Sequence, residues 1–261
     1  METTNSDRGG PAAFSLAGKR ILVTGANTGI GQGIAVAIAR AGGAVVGAGR
    51  SAMDETAGAV EKAGGRFDAV AVDLSDPAEA VAMLDRAWET IGPLDGLVNN
   101  AGIIRRADAV DLTEADWDEV MDVNLKSVFR LSQGFARRAI AAGRQGRIVN
   151  IASVLSFQGG IRVASYTASK HGVLGLTRLL ACEWAAKGIN VNAIAPGYVE
   201  TNNTQALRAD ADRDASIRAR IPAGRWGRPE DIGDVAVFLL APASGYMHGA
   251  TVAVDGGWLA R

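Results

Sequence analysis

The 261-residue chain has a single cysteine, Cys182. One thiol closes no internal disulfide, so the sequence suits a reducing compartment. Cys182 lies in an apolar helical stretch and is expected to be a small core residue rather than a nucleophile. Charge of one sign is also missing: 27 Lys and Arg face 28 Asp and Glu, a formal net charge of -1. No basic excess invites nucleic acid or an anionic membrane surface. No apolar run reaches the ~20 residues of a membrane span. The two histidines, His171 and His248, lack the partner spacing of a metal site, so both are expected to be structural or at the surface. Aromatic residues are few. The first residues hold no apolar signal core, so 1–14 is expected to be a flexible tail and the protein cytoplasmic.

What is present is an apolar, glycine-rich chain. Hydrophobic residues make up 48% and charged residues 21%, which fits a globular protein with a sizeable core. The 33 glycines, well above the usual ~7%, imply many tight turns or close approaches. Short apolar runs at 19–25, 44–49, 67–73, 94–99, 147–152, 189–195 and 250–254 read as strands. Helical segments separate them. One carries Pro77 in its first turn behind Ser75 or Asp76 as cap, with Val81, Leu84, Trp88 and Ile91 at helical spacing. A long helix begins at Thr113, with Asp116 completing a near capping box. Strand-helix alternation predicts an α/β fold: a Rossmann-type, doubly wound parallel sheet of about seven strands with helices on both faces. No linker divides 15–261, so one catalytic domain is expected. The polar stretch 201–225 interrupts the alternation after a strand's carboxyl end, where a substrate lid would sit.

The first strand runs into Gly25-Ala26-Asn27-Thr28-Gly29-Ile30-Gly31, a turn suited to a dinucleotide's pyrophosphate at a helix N-terminus. The second strand ends in Gly49-Arg50, without the carboxylate that reads a free ribose. Arg50 could pair with a 2′-phosphate, which argues for NADP. Asp73 and Leu74 end the third strand, where Asp73 could accept from adenine. Small residues at the end of the fourth strand, Asn100-Ala101-Gly102, leave room for a cofactor against the backbone. Asn124 has apolar neighbours on its helix and must find partners. Ser153 follows the fifth strand. Tyr166 and Lys170 share a helix face one turn apart. A phenol titrates near ~10, and a neighbouring ammonium favours the phenolate, so Tyr166 is a candidate general acid-base. Ser153 could hold a reacting oxygen. Pro196-Gly197, with Val199 and Thr201 beyond, turns the chain at the same crevice.

In this order the motifs resemble those of the short-chain dehydrogenase/reductase family. The resemblance spans about 15–261 and implies a nicotinamide cofactor, an Asn124-Ser153-Tyr166-Lys170 tetrad and a homotetramer. It implies that Tyr166 exchanges a proton with the substrate oxygen while Ser153 hydrogen-bonds it. Lys170 would lower the tyrosine pKa and hold the nicotinamide ribose, and Asn124 would support a water chain. It implies cofactor contacts from Gly25, Asn27, Thr28, Gly29, Ile30, Gly31, Arg50, Asp73, Leu74, Asn100, Ala101, Gly102, Tyr166, Lys170, Pro196, Gly197, Val199 and Thr201. The segments 156–163, 195–205, 220–227 and 254–261 are similar to family members acting on keto-sugar acids, typically with NAD(H). Cofactor choice therefore stays open between NAD and NADP. A sugar acid needs a cation for its carboxylate, and Arg105 or Arg162 is expected to supply it. Ser153, Gln158, Tyr166 and Asn202 are the other expected substrate contacts. Other family activities, gluconate 5-dehydrogenase or 3-oxoacyl-carrier-protein reductase, and a non-catalytic dinucleotide sensor are the alternatives.

Overall fold

A computed structural model of the chain describes residues 10–261. Residues 1–9 of the expected tail lie outside the described residues. Gly10–Phe14 form a 3₁₀ turn, and the Phe14 ring lies 6.2 Å from that of Phe238.

Seven strands form one sheet: β1 (Arg20–Thr24), β2 (Ala44–Gly49), β3 (Phe67–Ala71), β4 (Gly96–Asn99), β5 (Gly146–Ile151), β6 (Ile189–Pro196) and β7 (Thr251–Val254). Their order is β3-β2-β1-β4-β5-β6-β7, and every pairing is parallel. The short apolar runs of β1 and β4 follow from burial on both faces, and β6 is as buried while carrying Asn190 and Asn192. Alternate residues point to opposite layers. Ile21 and Val23 pack with Ile34 and Ile38 of α1 (Gly29–Arg40) and Ile232 and Leu239 of α9 (Pro229–Leu240). Leu22 packs on the other face with α3 (Pro77–Thr90), α5 (Ser127–Ala141) and α6 (Ala164–Trp184), through Met83, Leu84, Leu131, Phe135 and Trp184. α2 (Asp54–Lys62) joins β2 to β3.

The strand order turns at β1, with β2 on one side and β4 on the other. The connections therefore diverge there and leave a crevice beyond the carboxyl ends of β1 and β4. Every motif singled out above falls at a carboxyl strand end or on the helix that follows.

One local expectation is refined and one is corrected. The long helix behind Thr113 is present, but α4 (Glu114–Met121) passes through a π turn, Asp122–Lys126, into α5. Such bulges offset one residue from the helical ladder, and here the offset segment carries Asn124. Cys182 is exposed rather than in the core. α6 buries Val173, Leu174, Thr177, Leu180, Ala181 and Trp184, and Cys182 falls on the opposite side beside the half-exposed Leu179. The excursion after β6 is a 3₁₀ turn, Asn202–Thr204, then α7 (Gln205–Ala209) and α8 (Ala211–Arg220).

Candidate active site

One wall of the crevice is bare backbone. Gly25 has φ +64, a left-handed conformation that disfavours side chains. A methyl group at Gly31 would stand 2.0 Å from the carbonyl oxygen of Gly25, so no side chain fits there. Asn100 fixes the turn: its Nδ2 donates to the carbonyls of Thr24 at 2.9 Å and Gly25 at 3.2 Å. Thr24 Oγ1 in return accepts from the N–H groups of Asn100 and Ala101. Thr28 precedes α1 but makes no side-chain cap, and the first turn holds no acidic residue. The first N–H groups and the positive end of the helix are thus left for an anion.

At one end of the crevice Arg50 Nη1 lies 3.8 Å from Asp73 Oδ2. Asp73 also accepts from the N–H and hydroxyl of Ser75 at 2.9 and 2.8 Å. Those bonds, with the Arg50 charge, hold its carboxyl below the ordinary aspartate value. The ion pair is largely exposed and adds little to stability.

At the other end stand Ser153, Tyr166 and Lys170. Ser153 is extended and buried, and its Oγ accepts from Leu155 N–H at 3.1 Å, which leaves its own proton free. Lys170 is buried, donates to the carbonyl of Ile151 at 2.6 Å and lies 5.6 Å from the centre of the Tyr166 ring. Burial lowers its pKa from 10.5 to about 8. Burial likewise pushes the Tyr166 phenol above its ordinary value; the Ser153 hydroxyl and the Arg106 charge pull it part of the way back. Asn124 is fully buried. Its Oδ1 accepts from Ile103 N–H at 2.8 Å, and its Nδ2 donates to the Ile103 carbonyl at 2.9 Å and to Ser169 Oγ at 3.3 Å. It braces the loop after β4 against α6. A Cβ added at Gly102 would lie 3.3 Å from Asn124 Oδ1 and 3.7 Å from Lys170 Nζ, so the amide and the ammonium flank one patch of backbone.

A single cavity of about 380 Å³ joins these ends. It is lined by Gly25, Asn27, Thr28, Gly29, Ile30, Gly31, Arg50, Asp73, Leu74, Asn100, Ala101, Gly102, Ser153, Tyr166, Lys170, Pro196, Gly197, Val199, Thr201 and Asn202, all singled out from the sequence. Asn124, Arg105, Arg106, Gln158 and Arg162 are not on its wall. Arg105 is held by Glu119 at 2.7 Å and Asp116 at 3.5 Å. Arg162 adopts φ +63 and lies 3.4 Å from Asp108. Among the described residues Arg106 has no acidic partner, and it donates only to the Asn203 carbonyl at 3.4 Å. Asn203 of the excursion also lines the cavity, as do Glu119 and Ile103, which the sequence did not single out. The pairing of Glu119 with Arg105 crosses from a helix to a loop, and no sequence spacing signals it. Among the described residues no cluster of metal-ligating side chains occurs, and no helix is long and apolar enough to cross a membrane.

A dinucleotide-sized crevice at the turning point of a parallel sheet, with a serine, tyrosine and lysine at one end, agrees with what comparison finds. Residues 25–259 match the family described as enoyl-(acyl carrier protein) reductase. The chain belongs to the short-chain dehydrogenase/reductase family of NAD(P)-dependent oxidoreductases. It is 57% identical to the 2-dehydro-3-deoxy-D-gluconate 5-dehydrogenase of Dickeya dadantii, over 95% of this chain and 98% of that one. The Bacillus subtilis protein of the same name is 53% identical, again over 95% and 98%. Among solved structures, an NADP-bound candidate 2-deoxy-D-gluconate 3-dehydrogenase from Agrobacterium tumefaciens is 63% identical with a TM-score of 0.91, covering 95% of this chain and 99% of that one. A gluconate 5-dehydrogenase from Burkholderia cenocepacia, in complex with NADP and tartrate, is 39% identical with a TM-score of 0.90, covering 95% and 98%.

Proposed function

We propose that this chain interconverts a hydroxyl and a ketone on a keto-sugar acid of the 2-dehydro-3-deoxy-D-gluconate type, using NADP in preference to NAD. The observation that carries the reading is the single cavity joining an uncapped helix N-terminus to Ser153, Tyr166 and Lys170. Relatives named for this activity and neighbours holding NADP support it.

The residues fit a nicotinamide dinucleotide. The bare backbone from Gly25 to Gly31 and the N–H groups opening α1 would take the pyrophosphate. Arg50 would meet a 2′-phosphate, with no carboxylate at the tip of β2 to repel it, and Asp73 and Leu74 would face the adenine. Asn100, Ala101, Gly102, Pro196, Gly197, Val199 and Thr201 would flank the remainder. When bound, the nicotinamide gives or takes the hydride. The chain's own groups handle the proton. In the reducing direction Tyr166 gives its proton to the carbonyl oxygen, while the free hydroxyl proton of Ser153 hydrogen-bonds that oxygen. With a pKa of about 8, Lys170 is mostly cationic at neutral pH and favours the phenolate left behind.

The substrate carboxylate pairs with Arg106 in this reading, since Arg105 and Arg162 already have acidic partners. Asn202 and Asn203 bring the excursion over the same end, which makes 201–225 the lid of one catalytic domain spanning 15–261. Gln158 stands on the loop outside the wall as a more distant contact. The family resemblance further supports a cytoplasmic homotetramer, and Met121 of α4, Leu125 of the π turn, Phe129 of α5 and Leu176 of α6 offer an apolar hollow for subunit contact. A gluconate 5-dehydrogenase is the second reading, favoured by the tartrate-bound neighbour. Kinetics with both cofactors and with 2-dehydro-3-deoxygluconate, its 5-keto relative and gluconate separates them. A higher kcat/KM for gluconate than for the deoxy keto acid would reverse the order.

A further inference from the structure

We propose that Ser156 is a positioning residue: its hydroxyl joins the main chain of Ser153 to that of Lys170 and so fixes where Ser153 meets Tyr166. The inference rests on Ser153, Tyr166 and Lys170 being the reacting groups. Ser156 is 3% exposed. Its Oγ accepts from Ser153 N–H at 3.2 Å and donates to the Lys170 carbonyl at 2.7 Å. The proton and a lone pair of one hydroxyl are thus both committed, each to the backbone of a residue at the reacting end.

The second half of the device is Lys170 itself, whose side chain donates to the Ile151 carbonyl at 2.6 Å. The strand end and turn over 151–156 therefore grip one residue of α6 twice, by its main chain and by its side chain. These two contacts, at different distances from the helix axis, add to the packing of α6 against the sheet and set its first turns against the strand end. Tyr166 lies one turn earlier on the same face, so its phenol inherits that setting. On the other side, Ser153 Oγ is aimed by Leu155 N–H. Among the described residues the Ser156 bond is the one side-chain hydrogen bond from the loop over 152–163 to the backbone of α6. The brace from Asn124 through Ser169 reaches α6 from the π turn between α4 and α5 and does not touch Ser153.

The chain has three tyrosines, Tyr166, Tyr198 and Tyr246. Ultraviolet difference titration with Tyr166→Phe as reference isolates the Tyr166 phenol without any substrate. The charged groups facing that phenol are Lys170 on its own helix, Arg106 from the loop after β4 and Glu119 of α4 across the cavity. None of them changes in the Ser156 variants. Because Ser153 lowers the phenol pKa, loosening their contact raises it. In Ser156→Ala the Tyr166 titration is expected to move to higher pH. The acidic limb of the oxidation pH profile should follow, with kcat down by about tenfold and the cofactor KM within about threefold. Ser156→Thr, which keeps the hydroxyl, should titrate as wild type. Ser156→Ala with a wild-type Tyr166 titration overturns the proposal, even if its melting temperature falls. If that variant does not fold, Ser156→Cys is read in its place: an intermediate rise supports the proposal and an unchanged titration overturns it. Because the titration uses no substrate, it stands apart from the functional reading, which fails separately if the wild type turns over no sugar acid.

Discussion

Replacing Gly31 by alanine places a methyl carbon 2.0 Å from the Gly25 carbonyl oxygen, 2.7 Å from its carbon and 2.6 Å from Asn100 Nδ2. Ordinary carbon-oxygen contacts begin near ~3.3 Å, so the turn must give by roughly 1.3 Å. It cannot do so freely. Gly25 N–H donates to the Ala48 carbonyl at 2.7 Å, and Asn100 ties the turn to β4 through two bonds from Nδ2. Overpacking costs about 1–3 kcal/mol and each neutral hydrogen bond lost about 0.5–1.5 kcal/mol. A total near 3 kcal/mol lowers Tm by about 6–12 °C in a chain of this size. The same displacement pulls the first N–H groups of α1 away from the bound pyrophosphate. Losing one charge-assisted bond there, about 1.5–3 kcal/mol, weakens cofactor binding by about tenfold to 150-fold. Differential scanning fluorimetry and titration of reduced-dinucleotide fluorescence measure both. Gly58→Ala is the control: it lies in α2 with nothing within 4 Å of an added Cβ, so alanine should raise stability by about 0.5–1 kcal/mol. The reasoning is refuted if Gly31→Ala binds cofactor within about threefold of wild type and melts within about 2 °C of it.

Arg50→Ala should lower kcat/KM with NADP by about tenfold or more and leave the value with NAD nearly unchanged; equal losses with both would remove its role at the 2′-phosphate. Arg106→Ala should raise KM for the sugar acid by about tenfold to 150-fold while Arg105→Ala and Arg162→Ala do less, measured by steady-state kinetics; the reverse order would return the carboxylate to one of those arginines. Between pH about 8, where Lys170 titrates in the fold, and its ordinary 10.5, the unfolded chain binds more protons at this group than the fold does. The contribution of Lys170 to stability therefore rises with pH across that window and is flat below it. Denaturant melts of wild type and Lys170→Met at several pH values check this: the difference between them should change in wild type's favour above pH about 8, and a constant difference contradicts the assigned burial effect.

The sheet was legible because its central strands β1, β2 and β4 are buried on both faces and read as short apolar runs, with a glycine or small polar residue at or just past the carboxyl end; the edge strands β3 and β7 are only partly buried and were read from their place in the alternation. Ser153, Tyr166 and Lys170 were legible for a related reason, since helical spacing alone places Tyr166 and Lys170 on one face. Cys182 was misplaced because the stretch Leu179-Leu180-Ala181-Cys182 of α6 is apolar on two faces: Leu179 and Cys182 continue the hydrophobic run on the side away from the sheet. The π turn was hidden because Asp122–Lys126 carries no breaker; its extra residue is stabilised by Asn124 bridging to Ile103, a contact 21 residues back along the chain. Arg105 and Arg106 differ only in direction. They sit in an irregular loop, where adjacent side chains have no fixed relation, and the carboxylates that claim Arg105 come from α4.

The central claim is that Tyr166 transfers the proton in an NADP-linked oxidation of a keto-sugar acid. The most direct measurement is the turnover of 2-dehydro-3-deoxygluconate with oxidised NADP by wild type and by Tyr166→Phe, with cofactor affinity measured on the same samples. Wild type should turn over. Tyr166→Phe should lose about 10²- to 10⁴-fold in kcat while binding the cofactor within about threefold. A Tyr166→Phe variant that keeps full turnover, or a wild type inactive on the acid with both cofactors, would contradict the account.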